Sequence, residues 1–342
     1  MLLTCQAGFE ALLARELTEL HGTAVAEQGP GWVRLADLNP QLASGELAFA
    51  HLSLLAPVEL RGDSVNALAA RIGEYFLTSL RGVRVETEWP SIWLGPPELV
   101  GLGRRISAVE AAWGELLKKK LSRVARLATA SLPRGSSVTP LRGLFVFFAD
   151  FGRVLVAREA LVHGQRRMAD DDLAPSRSYL KVEEAYGLLG REPQPGETVC
   201  DLGAAPGGWS YSAAKRGARV VAIDNGPLKG GAFGHPAIDH RHEDAFDFRP
   251  LAGEPFDWLF CDLLEEPHHV LAHIVSPWLA GGGCRRFVVN LKFGRVDAVA
   301  LLCELQAPDS PFAAHAPGFH LRHLYHDREE FTVVGEVGRR SP

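Results

Sequence analysis

The chain has 342 residues, 46% hydrophobic and 23% charged, with a formal net charge of −5. That length calls for two or three domains, and the negative sum excludes a uniformly basic nucleic-acid binder but not a local basic face. There is no 18-residue apolar run, no leader-like start and no CxxC pair among the five cysteines, so no membrane span, zinc site or disulfide framework is expected and the protein reads as reduced and cytoplasmic.

Residues 1–60 read as a small α+β unit. An apolar run (Leu2 to Cys5) is followed by a helical stripe of Phe9, Leu12, Leu13, Leu17 and Leu20, a stop at Gly22, and a strand at Trp32–Leu35. Residues 61–165 read as a second such unit. Val83, Val85 and Thr87 alternate as in a strand. A helix is expected over roughly 104–130, with the stripe Ile106, Val109, Trp113, Leu117, Leu121, Val124 and Ala128. Leu144–Phe148 and Val154–Ala157 flank Asp150-Phe151-Gly152 as a hairpin. Residues 101–135 hold eight basic residues (Arg104, Arg105, Lys118, Lys119, Lys120, Arg123, Arg126, Arg134) against Glu110 and Glu115, a pattern suited to RNA phosphates or to a solvated helix face. Arg166, Arg167 and Arg177 extend that basic track.

The turn-rich segment 160–178 marks the boundary of a third region, 166–342. Here a helix carrying Val182, Ala185, Tyr186 and Leu189 precedes apolar runs at Thr198–Leu202, Arg219–Ile223, Trp258–Cys261, Phe287–Leu291 and Phe331–Val334. Strands separated by helical segments mean a mostly parallel α/β sheet.

The glycine-rich turn Gly203-Ala204-Ala205-Pro206-Gly207-Gly208-Trp209 follows the first of these strands. Its spacing differs from GxGxxG. Glycines let backbone approach a ligand closely, and the helix that follows favours negative charge. Asp224 ends the next strand, suited to a ribose diol; Asp244 follows another short strand, suited to an amino group; Asp262 ends a fourth. Any one of these acids alone also reads as a cap or a solvated loop residue. Trp209 suits either stacking on a ligand or packing. Lys181, Asp262, Lys292 and Glu329 are expected at the same edge. There a lysine whose pKa is lowered by burial and by the second cation orients a hydroxyl and accepts its proton, and the carboxylates offset the ammonium repulsion. Two surface salt bridges are the plainer alternative. The histidines (His235, His240, His242, His268, His269) lack ligand spacing, so no metal is expected.

Ser176-Arg177-Ser178-Tyr179-Leu180-Lys181, Asp201 to Trp209 and the Lys-Asp-Lys-Glu set resemble the FtsJ-like ribose 2′-O-methyltransferases. Val221 to Pro227, Asn290-Leu291-Lys292, Leu324 to Glu330 and Cys5 to Glu10 resemble the members of that family that act on large-subunit ribosomal RNA. The resemblance implies a Rossmann-like methyltransferase domain, mostly parallel with an antiparallel last strand, behind a ferredoxin-like unit and a THUMP-type RNA-binding region. It implies S-adenosyl-L-methionine as cofactor and a cytidine 2′-hydroxyl of 23S rRNA as target. It places Ser178, Gly203, Ala205, Pro206, Gly207, Gly208, Trp209, Asp224, Asp244 and Asp262 on the cofactor, with Lys292 as proton acceptor. The family has cysteine before the proline; here it is Ala205, where backbone makes the contact. A monomer is favoured. A methyltransferase for another RNA, a protein or a small molecule, and a non-catalytic RNA-binding factor, are the alternatives.

Overall fold

The structure, a computed structural model, describes residues 1–37, 42, 46–137, 139–251 and 253–338. It divides into two compact units, Met1–His163 and Gly164–Pro342.

The first unit carries β1 (Leu2–Thr4), α1 (Glu10–Arg15), β2 (Val25–Gly29), β3 (Trp32–Leu35), β4 (Leu52–Leu55), β5 (Val58–Arg61), α2 (Val65–Ser79), β6 (Trp89–Leu94), α3 (Leu102–Lys120), α4 (Ser122–Arg126), β7 (Ala128–Thr129), β8 (Leu141–Phe148) and β9 (Arg153–Val162). All nine strands join one sheet, in the order β2-β3-β1-β4-β9-β8-β6-β7, with β5 also on β9. A junction at 60/61 was expected; that point falls inside β5, and strands from both sides of it pair with β9. The hairpin forms as foreseen, and alternation divides its faces: Leu144, Val146, Phe148, Val154 and Val156 pack on α2 and α3, while Phe145, Phe147, Leu155 and Ala157 face Leu2, Trp32 and Leu52. The turn is held by Asp150 Oδ1, which accepts from the N–H groups of Gly152 (2.7 Å) and Arg153 (2.8 Å).

Two expectations fail in this unit. The Val83–Thr87 alternation forms no strand. Gly82 (φ +75°) ends the turn after α2, Val83 is exposed, and the strand begins six residues later at Trp89, where it finds partners in β7 and β8. The long helix stops at Lys120, not 130. Leu121 leaves helical geometry (φ −142°, ψ 65°), and Ala128 is drawn into β7 by pairing with Trp89. The three lysines at 118–120 sit in the last turn of α3, where cations complement the helix dipole.

The second unit carries α5 (Tyr179–Leu189), β10 (Thr198–Leu202), α6 (Gly208–Ala214), β11 (Arg219–Ile223), β12 (Ile238–Arg241), β13 (Phe256–Cys261), α7 (Pro267–Val270), α8 (Ser276–Gly281), β14 (Cys284–Lys292), α9 (Ala298–Gln306), α10 (Pro311–His315), β15 (His320–Arg322) and β16 (Glu330–Glu336). The sheet order is β12-β11-β10-β13-β14-β16-β15, parallel from β12 to β14, with β16 antiparallel to both its neighbours. This is the Rossmann-like methyltransferase arrangement. Chain order reverses between β10 and β13, so the ends of those strands splay apart and leave a crevice at their carboxyl edge. Val199, Val220, Trp258, Phe260 and Val288 form the core together with residues of α5 and α6. Among the described residues, no helix is long and apolar enough to cross a membrane.

Candidate active site

Four parallel strands end at one edge, and each is followed by a residue named above: Gly203 after β10, Asp224 after β11 and Asp262 after β13, with Lys292 as the last residue of β14. A cavity of about 320 Å³ opens at the splayed strand ends. Gly203, Ile223, Asp224, Asp244, Phe246, Leu263 and Leu264 are among its lining residues. Asp224 anchors the crevice as well as facing it. Its Oδ2 accepts from Ala205 N–H (2.9 Å) and its Oδ1 from Gly226 N–H (2.7 Å). A carboxylate has about four acceptor positions, so each oxygen keeps capacity for a ligand hydroxyl. Asp244 Oδ1 accepts from Phe246 N–H (2.8 Å), a local turn that leaves its other oxygen without an intramolecular bond among the described residues.

The glycine-rich turn is closely packed. Gly207 (φ +106°) passes so close to Ala232 that a Cβ would lie 2.5 Å from that methyl, and a Cβ at Gly208 would lie 2.9 Å from Ser178 Oγ. Here these glycines allow close packing of α6 against α5 and the 230–232 turn. Trp209 likewise belongs to the core. It is 3% exposed, donates its indole N–H to the Ser178 carbonyl (2.9 Å) and stands edge-on to Phe260. Ser178 Oγ bonds Ser176 Oγ at 2.7 Å. Gly203, Asp224 and Asp244 line the cavity, whereas Ser178, Ala205, Pro206, Gly207, Gly208 and Trp209 are not among its lining residues.

The charged cluster forms, with one substitution of partner. Lys292 Nζ bonds Asp262 Oδ1 and Glu330 Oε2. Lys181 Nζ, on the first turn of α5, contacts Glu330 Oε1 and lies 3.8 Å from Asp262 Oδ2. The expected fourth member, Glu329, is not in the cluster; Glu330 is. Lys292 and Glu330 are directly opposed across the antiparallel β14–β16 pair. Side chains alternate faces along a strand, so a slip of one residue turns a side chain away. Glu329 is exposed, and its carbonyl accepts from Phe293 N–H at 2.8 Å.

One step further along the same face, Asn290 opposes Thr332. Thr332 Oγ1 donates to Asn290 Oδ1 (2.6 Å) or to the Asp327 carboxyl (2.9 Å), and Asn290 Nδ2 donates to Asp262 Oδ1 (3.3 Å). Reading motif by motif missed Glu330, Thr332 and Asp327. A period-two signal was present: polar residues at 290 and 292 inside one apolar strand, and at 330 and 332 inside another.

Electrostatics follow from burial and pairing. Burial alone opposes charge on Lys292, but Asp262 and Glu330 outweigh it, so its pKa is raised; the expected lowering is not found. Burial pushes the Glu330 carboxyl up, yet Lys292 and Lys181 together pull it well below the usual range. Asp327, fully buried beside Glu330, is pushed up instead by burial and by that neighbouring charge. Glu184, on α5, is also buried, with no cation paired to it among the described residues. Its Oε1 accepts from the N–H groups of Arg166 and Tyr325 (both 2.9 Å) and its Oε2 from His326 N–H (3.2 Å). Burial lifts its pKa to about 8. Glu184 thus ties α5, which carries Lys181, to the loop that carries Asp327.

A family profile described as FtsJ-like methyltransferase matches residues 174–304. The ribosomal RNA large subunit methyltransferase M of Laribacter hongkongensis (strain HLHK9) is 35% identical over 92% of this chain and 89% of that protein. The chain belongs to the ribosomal RNA large subunit methyltransferase M family. The relative of the same description from Alkalilimnicola ehrlichii is 32% identical over 97% of this chain and 93% of its own. The crystal structure of SMU.472, by its description a methyltransferase complexed with SAH, aligns with 100% of this chain at 10% identity and a TM-score of 0.40. The chain is an S-adenosylmethionine-dependent methyltransferase, and the cavity fits that cofactor. Asp224 and Asp244 offer anionic acceptors for hydroxyl and amino groups, while Ile223, Phe246 and Leu263 give an apolar lining for a purine.

Proposed function

We propose that the protein transfers the methyl group of S-adenosylmethionine to the ribose 2′-hydroxyl of a cytidine in 23S rRNA. One observation carries this reading. Lys292, held by two carboxylates, lines a second cavity of about 470 Å³ that shares Leu264 and Glu265 with the acid-lined crevice. A substrate hydroxyl at Lys292 therefore lies beside the cofactor's cavity.

S-adenosylmethionine supplies an electrophilic methyl on a cationic sulfur. Asp224 and Asp244 hold its polar groups, and the packed turn from Gly203 to Gly208 fixes the walls. Lys292 orients the 2′-oxygen and accepts its proton, which requires the neutral amine. Because Asp262 and Glu330 favour the ammonium form, activity rises with pH on the alkaline side. Lys181 shares Glu330 and so limits the negative charge acting on Lys292. Asn290 and Thr332 keep Asp262 in place.

The N-terminal unit, Met1–His163, serves RNA binding as the THUMP-type reading implies. Lys119, Lys120, Arg123, Arg126 and Arg104 are exposed there. Arg105 is excluded from that role: it donates to the carbonyls of Phe151 (2.7 Å) and Asp63 (2.9 Å) and fastens two loops of the unit.

The test is transfer of labelled methyl from S-adenosylmethionine to deproteinised 23S rRNA, followed by digestion to nucleosides, with Lys292→Ala in parallel. Label in 2′-O-methylcytidine that disappears in the variant supports the reading. Label on a base, on protein, or undiminished in the variant refutes it.

A further inference from the structure

The cavity at Lys292 contains two cations that the chemistry above leaves unused. Arg295 and Arg328 both line it and both are exposed, one three residues beyond Lys292 and the other two residues before Glu330. Neither guanidinium has an ion-pair partner among the described residues, although four acids share the lining. Glu330 is engaged by the two lysines and Glu266 by His268, whereas Glu329 and Glu265 stand exposed. Arginines that share a cavity lining with carboxylates but do not pair with them remain available for a stronger or better-shaped anion, and a guanidinium matches a phosphate's paired oxygens.

Leu264 adds a second, independent feature. This residue is 90% exposed, yet it lines both the acid-lined crevice and the Lys292 cavity. An apolar side chain in that position has no intramolecular cover, and the flat face of a nucleoside covers it well.

We propose that this cavity is a single-stranded RNA subsite. Arg295 and Arg328 take the phosphates on either side of the target ribose, and Leu264 packs against the target nucleoside. The inference rests on the RNA reading above and assigns its substrate contacts. Glu265 and Glu329, left unpaired at the rim, disfavour an anion that does not bring both phosphates within reach, so the site selects a phosphodiester-flanked ribose over a free nucleotide.

The experiment measures KM and kcat for 23S rRNA over a series of salt concentrations. It uses the wild type, Arg295→Ala, Arg328→Ala, the double variant, each Arg→Lys variant and Leu264→Ala. Cofactor affinity by calorimetry checks that each protein is folded. Each alanine variant is expected to raise KM about tenfold and to lower the slope of log KM against log salt by about 0.7, the counterion release of one single-strand phosphate contact. The lysine variants restore the slope. Leu264→Ala raises KM without changing the slope. A double variant with wild-type KM and slope, in a protein that binds cofactor and methylates RNA, overturns the proposal. A wild type that labels no RNA instead removes the reading on which it rests, so the two failures are distinct.

Discussion

At the β10–β11 end of the catalytic edge, Asp224 and Asp244 face an open cavity and are held by backbone N–H groups. At the β14–β16 end, Asp262 and Glu330 are drawn into the protein and held by ammonium groups. The first arrangement keeps lone pairs available, as a binding site for a polar cofactor requires. The second consumes them, because a buried charge is tolerated only when matched. Acids at neighbouring strand ends thus end in opposite states, and the difference lies in what each strand's neighbour presents. The turns after β10 and β11 present backbone N–H groups to Asp224, whereas β14 is paired with a strand that starts with a glutamate.

That contrast can be broken at several points. The largest effect is expected at Lys292. Lys292→Ala should lower kcat about 10³-fold, the scale of a lost acid–base group, with little change in cofactor affinity. Activity at neutral pH close to wild type would remove the charged region from the chemistry.

Next comes Glu330. Glu330→Gln leaves two buried ammonium groups facing one carboxylate and should cost about 3–5 kcal/mol in urea unfolding, whereas Glu329→Gln should stay within about 0.5 kcal/mol. Equal effects at the two positions would contradict the β14–β16 register.

Asp224→Ala tests the open region. It removes two charge-assisted backbone bonds, at about 1.5–3 kcal/mol each, and should weaken cofactor binding by at least tenfold in calorimetry. It should leave the Lys292 region folded.

Glu184 sharpens the role of burial. Its carboxyl titrates at about 8 in the folded protein against an ordinary 4.5. An acid with a raised folded pKa holds its proton better when folded. Its stabilising contribution is therefore complete below about 4.5 and is lost as pH rises through about 8. Unfolding free energy should decline across that window, and Glu184→Gln should flatten the decline. A slope unchanged by the substitution would locate the titration elsewhere, for instance at Asp201, which burial raises to about 7.

The smallest effect is expected at Trp209. Trp209→Phe forfeits the bond to the Ser178 carbonyl, about 1 kcal/mol of stability, and should leave cofactor affinity unchanged. A large loss of affinity would return the indole to the ligand.

Most strands of the second unit were legible because each is a mainly apolar run between turn residues; Thr198–Leu202 and Arg219–Ile223 agree with the structure to the residue. The first unit was less legible at Val83–Thr87, where local alternation has no partner strand, and at Leu121–Ala128, where pairing with β6 overrides a continuing helical stripe. The basic stretch was legible as charge, but the binding of Arg105 to two distant carbonyls was not, since those carbonyls lie more than 40 residues away along the chain.

The linear order of residues determined the unit that carries the chemistry, the strand ends where acids and lysines gather, and the family to which the chain belongs. Strand periodicity and turn chemistry are local, so they are written in neighbouring residues. Only the tertiary structure decided which of two adjacent glutamates meets the lysines, which glycines pack and which line the cavity, and which carboxyls are lifted or lowered. Those outcomes depend on cross-strand register and burial, and both are set by segments far apart in the chain.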